Sequence, residues 1–107
     1  MNGQSLMETL GLTTVCGVLA EFEGVYAGDL LSRAMSHVEA DNLWITIMNN
    51  INVVAVASLT EAAAVILAEG VTLVPEALAA AKEKGVCILS SEKTVYTLCA
   101  EIAAMQK

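Results

Sequence analysis

The residues able to do chemistry in this 107-residue chain are mostly neutral, and they gather where apolar runs break. In "ITIMNNINVVAVASL", Asn49, Asn50 and Asn52 stand between two segments composed for burial. Thr46 precedes them, Asp29 and Ser32 follow "VYAG", and Ser91 and Thr94 follow "VCILS". Amides and hydroxyls can cap helices and hold a small ligand without the desolvation cost of a charge. Two readings of Asn52 and Ser91 stay open at this point: helix caps alone, or caps that also line a binding site.

Other chemistries find few residues. His37 is the only histidine, late in a helical stretch beside Ser36 and Glu39, where a cation suits the helix end. A hydrolytic triad would have to use it, yet no GxSxG is present. HExxH, GxxxxGK[ST] and GxGxxG are also absent, which disfavours metalloproteases and the usual nucleotide enzymes. Cys16, Cys87 and Cys99 are widely spaced, form no CxxC and lie in apolar contexts, so they read as buried thiols rather than metal or cluster ligands. Glu21, Glu23, Asp29, Glu39 and Asp41 read as a solvated acidic surface.

The elements that must position these groups follow from composition and pattern. Hydrophobic residues make up 56% and charged residues 16%, enough for one core in a single domain spanning 1–107. So apolar a chain has more apolar surface than a small domain easily covers, which predicts a homodimer. The net charge of −7 argues against nucleic acid and anionic membranes as partners. The start of the chain lacks signal-peptide character and no apolar run is long enough to span a membrane, so a cytoplasmic protein is expected.

Along the chain, "SLMETLG" predicts a short helix with a Ser5…Glu8 capping box and a closing Gly11. "TTVCGVL" predicts a strand, and "AEFEGVYAG" a turn and a second short strand. "DLLSRAMSHV" predicts a helix capped by Asp29, with Leu30, Leu31, Ala34, Met35 and Val38 on one face. "NLWITIM" predicts a strand. "NVVAVASLTEA" is apolar nearly all round and by pattern alone fits a buried helix or a strand; the alternating context favours a helix capped by Asn50 or Asn52. Strand "AAVIL" and helix "VPEALAAAKEKG" follow, the latter with Pro75 in its first turn and Gly85 as its stop. "VCILS" is a further strand, and Ser90 or Ser91 caps a last helix with Val95, Leu98, Cys99, Ile102 and Met105 inward. Alternating β and α with short connections predicts an α/β fold of three layers, a mostly parallel sheet flanked by helices. The Thr46–Asn52 corner then lies at the carboxyl end of a strand, where ligands of such sheets bind.

GDLLS at Gly28–Ser32, WIT at Trp44–Thr46 and NVVAVASL at Asn52–Leu59, with the later AEG and ILSS…T, resemble a DRTGG domain from about Val15 onward. The resemblance implies an α/β domain similar to the amino-terminal domain of HPr kinase. Related domains act as regulatory or dimer-forming modules in phosphotransacetylases and CBS-domain pyrophosphatases. The five naming letters are not present. Small stand-alone relatives carry Gln-Thr-His where Met48, Asn49 and Asn50 stand, so the resemblance brings no proton-transferring histidine to this chain. Some of those relatives are encoded near iron-only hydrogenases or bear iron–sulfur or serine-kinase names, which the three scattered cysteines and absent nucleotide loop do not support.

The expectation is a non-catalytic regulatory module without a cofactor. It homodimerises and binds a small metabolite, a nucleotide or a partner through Asp29, Ser32, Thr46, Asn49, Asn50, Asn52, Ser91 and Thr94. The alternative is an accessory or scaffold protein of an iron-only hydrogenase or other redox complex.

Overall fold

A computed structural model describes residues 1–106. The elements run α1 (Gly3–Leu10), β1 (Thr13–Cys16), β2 (Val25–Ala27), α2 (Leu31–His37), β3 (Leu43–Thr46), α3 (Ile51–Thr60), β4 (Ala64–Leu67), α4 (Pro75–Lys84), β5 (Ile88–Ser90) and α5 (Val95–Met105). They form one five-stranded sheet in the order β1-β5-β4-β3-β2. β2, β3, β4 and β5 pair in parallel, and β1 lies antiparallel beside β5 with Thr13 opposite Ser90. This is the predicted mostly parallel, three-layer α/β arrangement.

The central strands explain the layers. Every residue of β3 and β4 is buried, as expected for parallel strands covered on both faces. On one face, Leu43, Ile45, Ala64, Ile66 and Leu89 pack with Leu6 and Leu10 of α1 and Leu98 and Ile102 of α5. On the other, Trp44, Val65, Leu67 and Ile88 pack with Ala34 of α2, Val53, Val54 and Val56 of α3, and Ala77 and Ala81 of α4. Buried polar groups are matched. The Trp44 ring N–H donates to the Gly28 carbonyl at 3.0 Å, and the Asn42 amide donates to Glu23 O at 2.8 Å while accepting from Glu39 N–H at 2.9 Å.

Several local expectations change. α1 begins two residues earlier than the proposed capping box, because Asn2 rather than Ser5 supplies the capping oxygen, accepting from the Ser5 N–H. β1 ends at Cys16, since Gly17 turns the chain in the left-handed region, φ 78°, against Cys87. Asp29 does not cap α2, whose N-cap is Leu30 with no side-chain bond. Of the face assigned to that helix, Ala34 and Val38 are buried but Leu30 and Met35 are exposed. Thr94, not Ser90 or Ser91, caps α5 by accepting from Thr97 N–H at 3.1 Å. Asn50 caps α3, accepting from Asn52 N–H at 3.0 Å.

Replacing Trp44 by Phe leaves the Gly28 carbonyl without its donor and a small void beneath α2. Trp44→Phe should cost ~1–3 kcal/mol, read as a lower urea midpoint with an unchanged denaturant slope.

Candidate functional site

The carboxyl ends of β3, β4 and β5 carry most of the predicted site residues, and the structure divides them by role. At the end of β3, buried Thr46 donates its hydroxyl to Asp29 Oδ1 at 2.7 Å, and the same oxygen accepts from Ile47 N–H at 3.0 Å. Thr46 Oγ1 in turn accepts from Met48 N–H at 3.2 Å. Asp29 and Thr46 thus act as a pair that folds the strand's exit. Asn49 reaches across to the next connection, its side-chain amide donating to the Thr72 carbonyl at 2.8 Å while its backbone carbonyl accepts from Val74 N–H at 3.1 Å. Asn50 turns the chain into α3. Asn52 faces elsewhere, into an apolar groove between α2 and α3 with Leu31, Met35, Ala55, Val56 and Leu59. Ser32 is exposed on α2, and its carbonyl accepts from Ser36.

A second region forms between β4 and β5. After β4 the chain passes to α4 on the face shared with α3, whereas after β5 it passes to α5 on the opposite face. Neighbouring parallel strands whose exits part in this way leave a crevice at their carboxyl ends, the place where ligands settle in open α/β sheets. Here the crevice encloses about 160 Å³ and is lined by Thr13, Gly70, Val71, Thr72, Ser90, Ser91 and Glu92. Two backbone bonds stitch its walls, Glu69 N–H to Lys93 O and Gly70 N–H to Ser91 O, both 2.9 Å. Ser91 Oγ accepts from Lys93 N–H at 3.0 Å, which shapes the turn before α5. Gly70 has φ 72°, and a side chain there would run into the Glu92 carboxylate. Glycine suits the left-handed turn, and a side chain there would displace the flexible Glu92 carboxylate.

The crevice is a set of hydroxyls around one carboxylate. The nearest basic side chain in sequence, Lys93, is turned away to the Leu10 carbonyl at 3.1 Å and the Glu101 carboxylate at 2.8 Å. Such a lining suits hydroxyl or amino groups better than phosphate. Ser91 is the predicted residue that lines it, and Asn49 holds its Thr72 wall. Thr94 stands three residues beyond Ser91, as the cap of α5. Thr13, Thr72 and Glu92 were not legible as site residues. Their meeting depends on β1 turning antiparallel beside β5 and on α5 crossing to the far face, and neither leaves a local pattern.

His37 ends α2 as expected, with Nδ1 2.9 Å from the Arg33 carbonyl and its ring stacked on Tyr26 at 6.1 Å between centroids. Cys16 and Cys87 are buried and Cys99 is half-buried. Cys16 packs with the Trp44 cluster and Cys87 with the Leu89 cluster, on opposite faces of the sheet. Burial, followed by the nearby Cys16, pushes the Cys87 thiol up to about 11.

A model of the DRTGG domain family matches residues 5–105, so the chain belongs to that family, and the match begins some ten residues before the resemblance expected from the motifs. The crystal structure of the CBS and DRTGG domains of the regulatory region of Clostridium perfringens pyrophosphatase, complexed with its activator diadenosine tetraphosphate, has the same fold. Its TM-score is 0.76 at 13% identity, over 94% of this chain and 45% of that one. This chain thus spans less than half of that regulatory region. No protein of curated function matches the sequence.

Two outcomes test the site's framework. Thr46→Val removes the donor to Asp29 and the acceptor of Met48 N–H, and should destabilise by ~1–3 kcal/mol in urea unfolding. Separately, the folded chain holds the Cys87 proton more tightly than the unfolded chain. That contribution is full below the thiol's ordinary value of 9.0 and is lost as pH rises from there to about 11. Urea midpoints taken across that range should fall with pH in the native protein, and fall less steeply in Cys87→Ala.

Proposed function

We propose that this chain is a non-catalytic regulatory module that homodimerises and binds a small ligand at the carboxyl edge of its sheet, from the Thr46–Asn52 corner to the β4–β5 crevice. The observation that carries the reading is the crevice itself. It lies where the chain leaves neighbouring strands in opposite directions, and its walls hold hydroxyls and a carboxylate from two connections and from the facing ends of β1 and β5. Membership of the DRTGG family supports a regulatory role, because the structurally similar domain sits in the regulatory region of a pyrophosphatase.

Size and chemistry narrow the ligand. At about 160 Å³ the crevice is well below the ~300–1,000 Å³ of drug-sized sites. It is large enough for the ribose of a nucleotide or for a small hydroxylated or amino-bearing metabolite, with any base and phosphates outside. Glu92 would accept from a ribose diol or an amine, and Thr13, Thr72, Ser90 and Ser91 would complete the polar contacts. Asn49 would act through Thr72, whose carbonyl it holds. No titratable pair stands across the crevice for acid–base work. The accessory-subunit reading gains no specific observation, since the thiols are dispersed on both faces of the sheet.

Thermal unfolding in the presence of nucleosides, nucleotides and small amino-bearing metabolites tests the proposal. A ligand at a hundred times its Kd should add about 2.7 kcal/mol of stability, a rise of several degrees in Tm. Glu92→Gln should abolish most of that rise while leaving the unliganded Tm within a degree or two. Ser91→Ala should also reduce the rise, from an unliganded Tm lowered by the loss of the Lys93 N–H bond. A flat response to every compound, or a rise indifferent to both substitutions, would reject the site.

A further inference from the structure

The outward side of α3 carries an arrangement that the ligand site does not use. α3 has no charged residue from Ile51 to Thr60 and is apolar nearly all round, a composition expected of a helix covered on every side. Val53, Val54, Val56 and Ala57 are buried against the sheet, yet Ile51, Asn52, Ala55, Ser58 and Leu59 face solvent. Among the described residues, five of the eight exposed large apolar side chains, Leu30, Met35, Ile47, Ile51 and Leu59, belong to α2, α3 or the turns that begin them. The two helices form a groove of about 280 Å³ whose lining includes Met35, Asn52, Ala55 and Leu59. A patch so concentrated marks an interaction surface rather than scattered exposure.

We infer that this face pairs with the same face of a second copy, with the two α3 helices antiparallel and crossing at Ala55. The inference rests on the homodimer of the proposed function and names its face. Three observations select a second copy as occupant. The outward face of α3 reads Ile51-Asn52, Ala55, Ser58-Leu59, with one apolar and one uncharged polar residue on either side of a small centre. Reversed, it presents the same classes of residue in the same places, which is what a two-fold interface requires. Ala55 at the centre of that face lets two helix backbones approach closely. Finally, the chain carries 12 acids and a net charge of −7, but none of the acids lies within α2 or α3. Two equally acidic molecules meet at less electrostatic cost on helices that carry no acid of their own and have Asp29 and Glu61 at their ends. A basic partner would gain most elsewhere.

Cysteine cross-linking reads the geometry directly. A residue on the two-fold axis faces its own copy, so Ala55→Cys should form a disulfide-linked dimer under mild oxidation. The native protein, with only Cys16, Cys87 and Cys99, and Ala100→Cys on exposed α5 should not. Ala55→Glu places like charges at the centre and should weaken the dimer at least ~100-fold, seen as a monomer by light scattering at micromolar concentration with cooperative unfolding retained. Leu59→Glu should act in the same direction, while Val18→Asp, exposed on the far edge, should leave the dimer intact. A native monomer would overturn the homodimer reading altogether. A native dimer that survives Ala55→Glu, and that Ala55→Cys does not cross-link, would leave the homodimer standing and reject this face.

Discussion

The complete burial of β3 and β4 is the constraint from which the rest of the structure follows. All eight strand positions, Leu43–Thr46 and Ala64–Leu67, have no access to water on either side. A sheet of that kind is stable only with helices on both faces, so the chain must send some connections one way and some the other. α2, α3 and α4 cover one face in succession. The opposite face is left to α1 and α5, which are the first and last helices. The change of side therefore comes after β5, and the crevice between β4 and β5 is a consequence of how the core is closed. Binding geometry and folding geometry share one cause here.

That cause also explains why the polar residues near the core are neutral. Thr46 is fully buried at the end of β3, and a charge in its place would need a partner inside the sheet. A hydroxyl instead donates to Asp29, which stands at the surface where its carboxylate keeps water on one side. The asparagines beyond it continue the same solution. Asn49 spans to the Thr72 carbonyl and Asn50 caps α3, so two amides meet backbone groups that the sharp corner would leave unpaired. They are structural connectors before they are anything else.

The layer structure was legible in the sequence because it is written in long patterns. Alternating β and α signals, Pro75 and Gly85 around α4, the aromatic and β-branched "WIT" and the all-apolar "AVIL" each carry their own physical reason. Caps were less legible, since several acceptors compete within a few residues. Asn2 outranks Ser5, and Thr94 outranks Ser90 and Ser91, because helix starts are decided by how the preceding chain docks. Gly3 is pinned under Leu19, which draws α1 back to Asn2. Asp29 looked like a cap and is instead the tertiary partner of Thr46, 17 residues away. The crevice was hidden for a related reason. Thr13, Thr72 and Glu92 come from strand β1 and two separate connections, and no local periodicity reports which face α5 will take.

The corner at residues 46–52 gives the two proposed surfaces a shared segment. Asn49 grips the Thr72 carbonyl at one wall of the crevice, and two residues later Ile51 opens the outward face of α3. Ile47, in the same turn, is exposed beside α2 and is tied by its N–H to Asp29. A ligand can alter association only if it interacts differently with the two states being exchanged. Under the proposed reading, a ligand that tightens the Gly70–Thr72 wall would pull on Asn49 and thereby on the first turn of α3, where the second copy packs. Because Asn49 is an amide with two donors and an acceptor, it can hold that carbonyl without titrating near neutral pH, as a histidine in its place would. The link would then respond to ligand rather than to proton concentration, which is the property expected of a sensor for a small molecule.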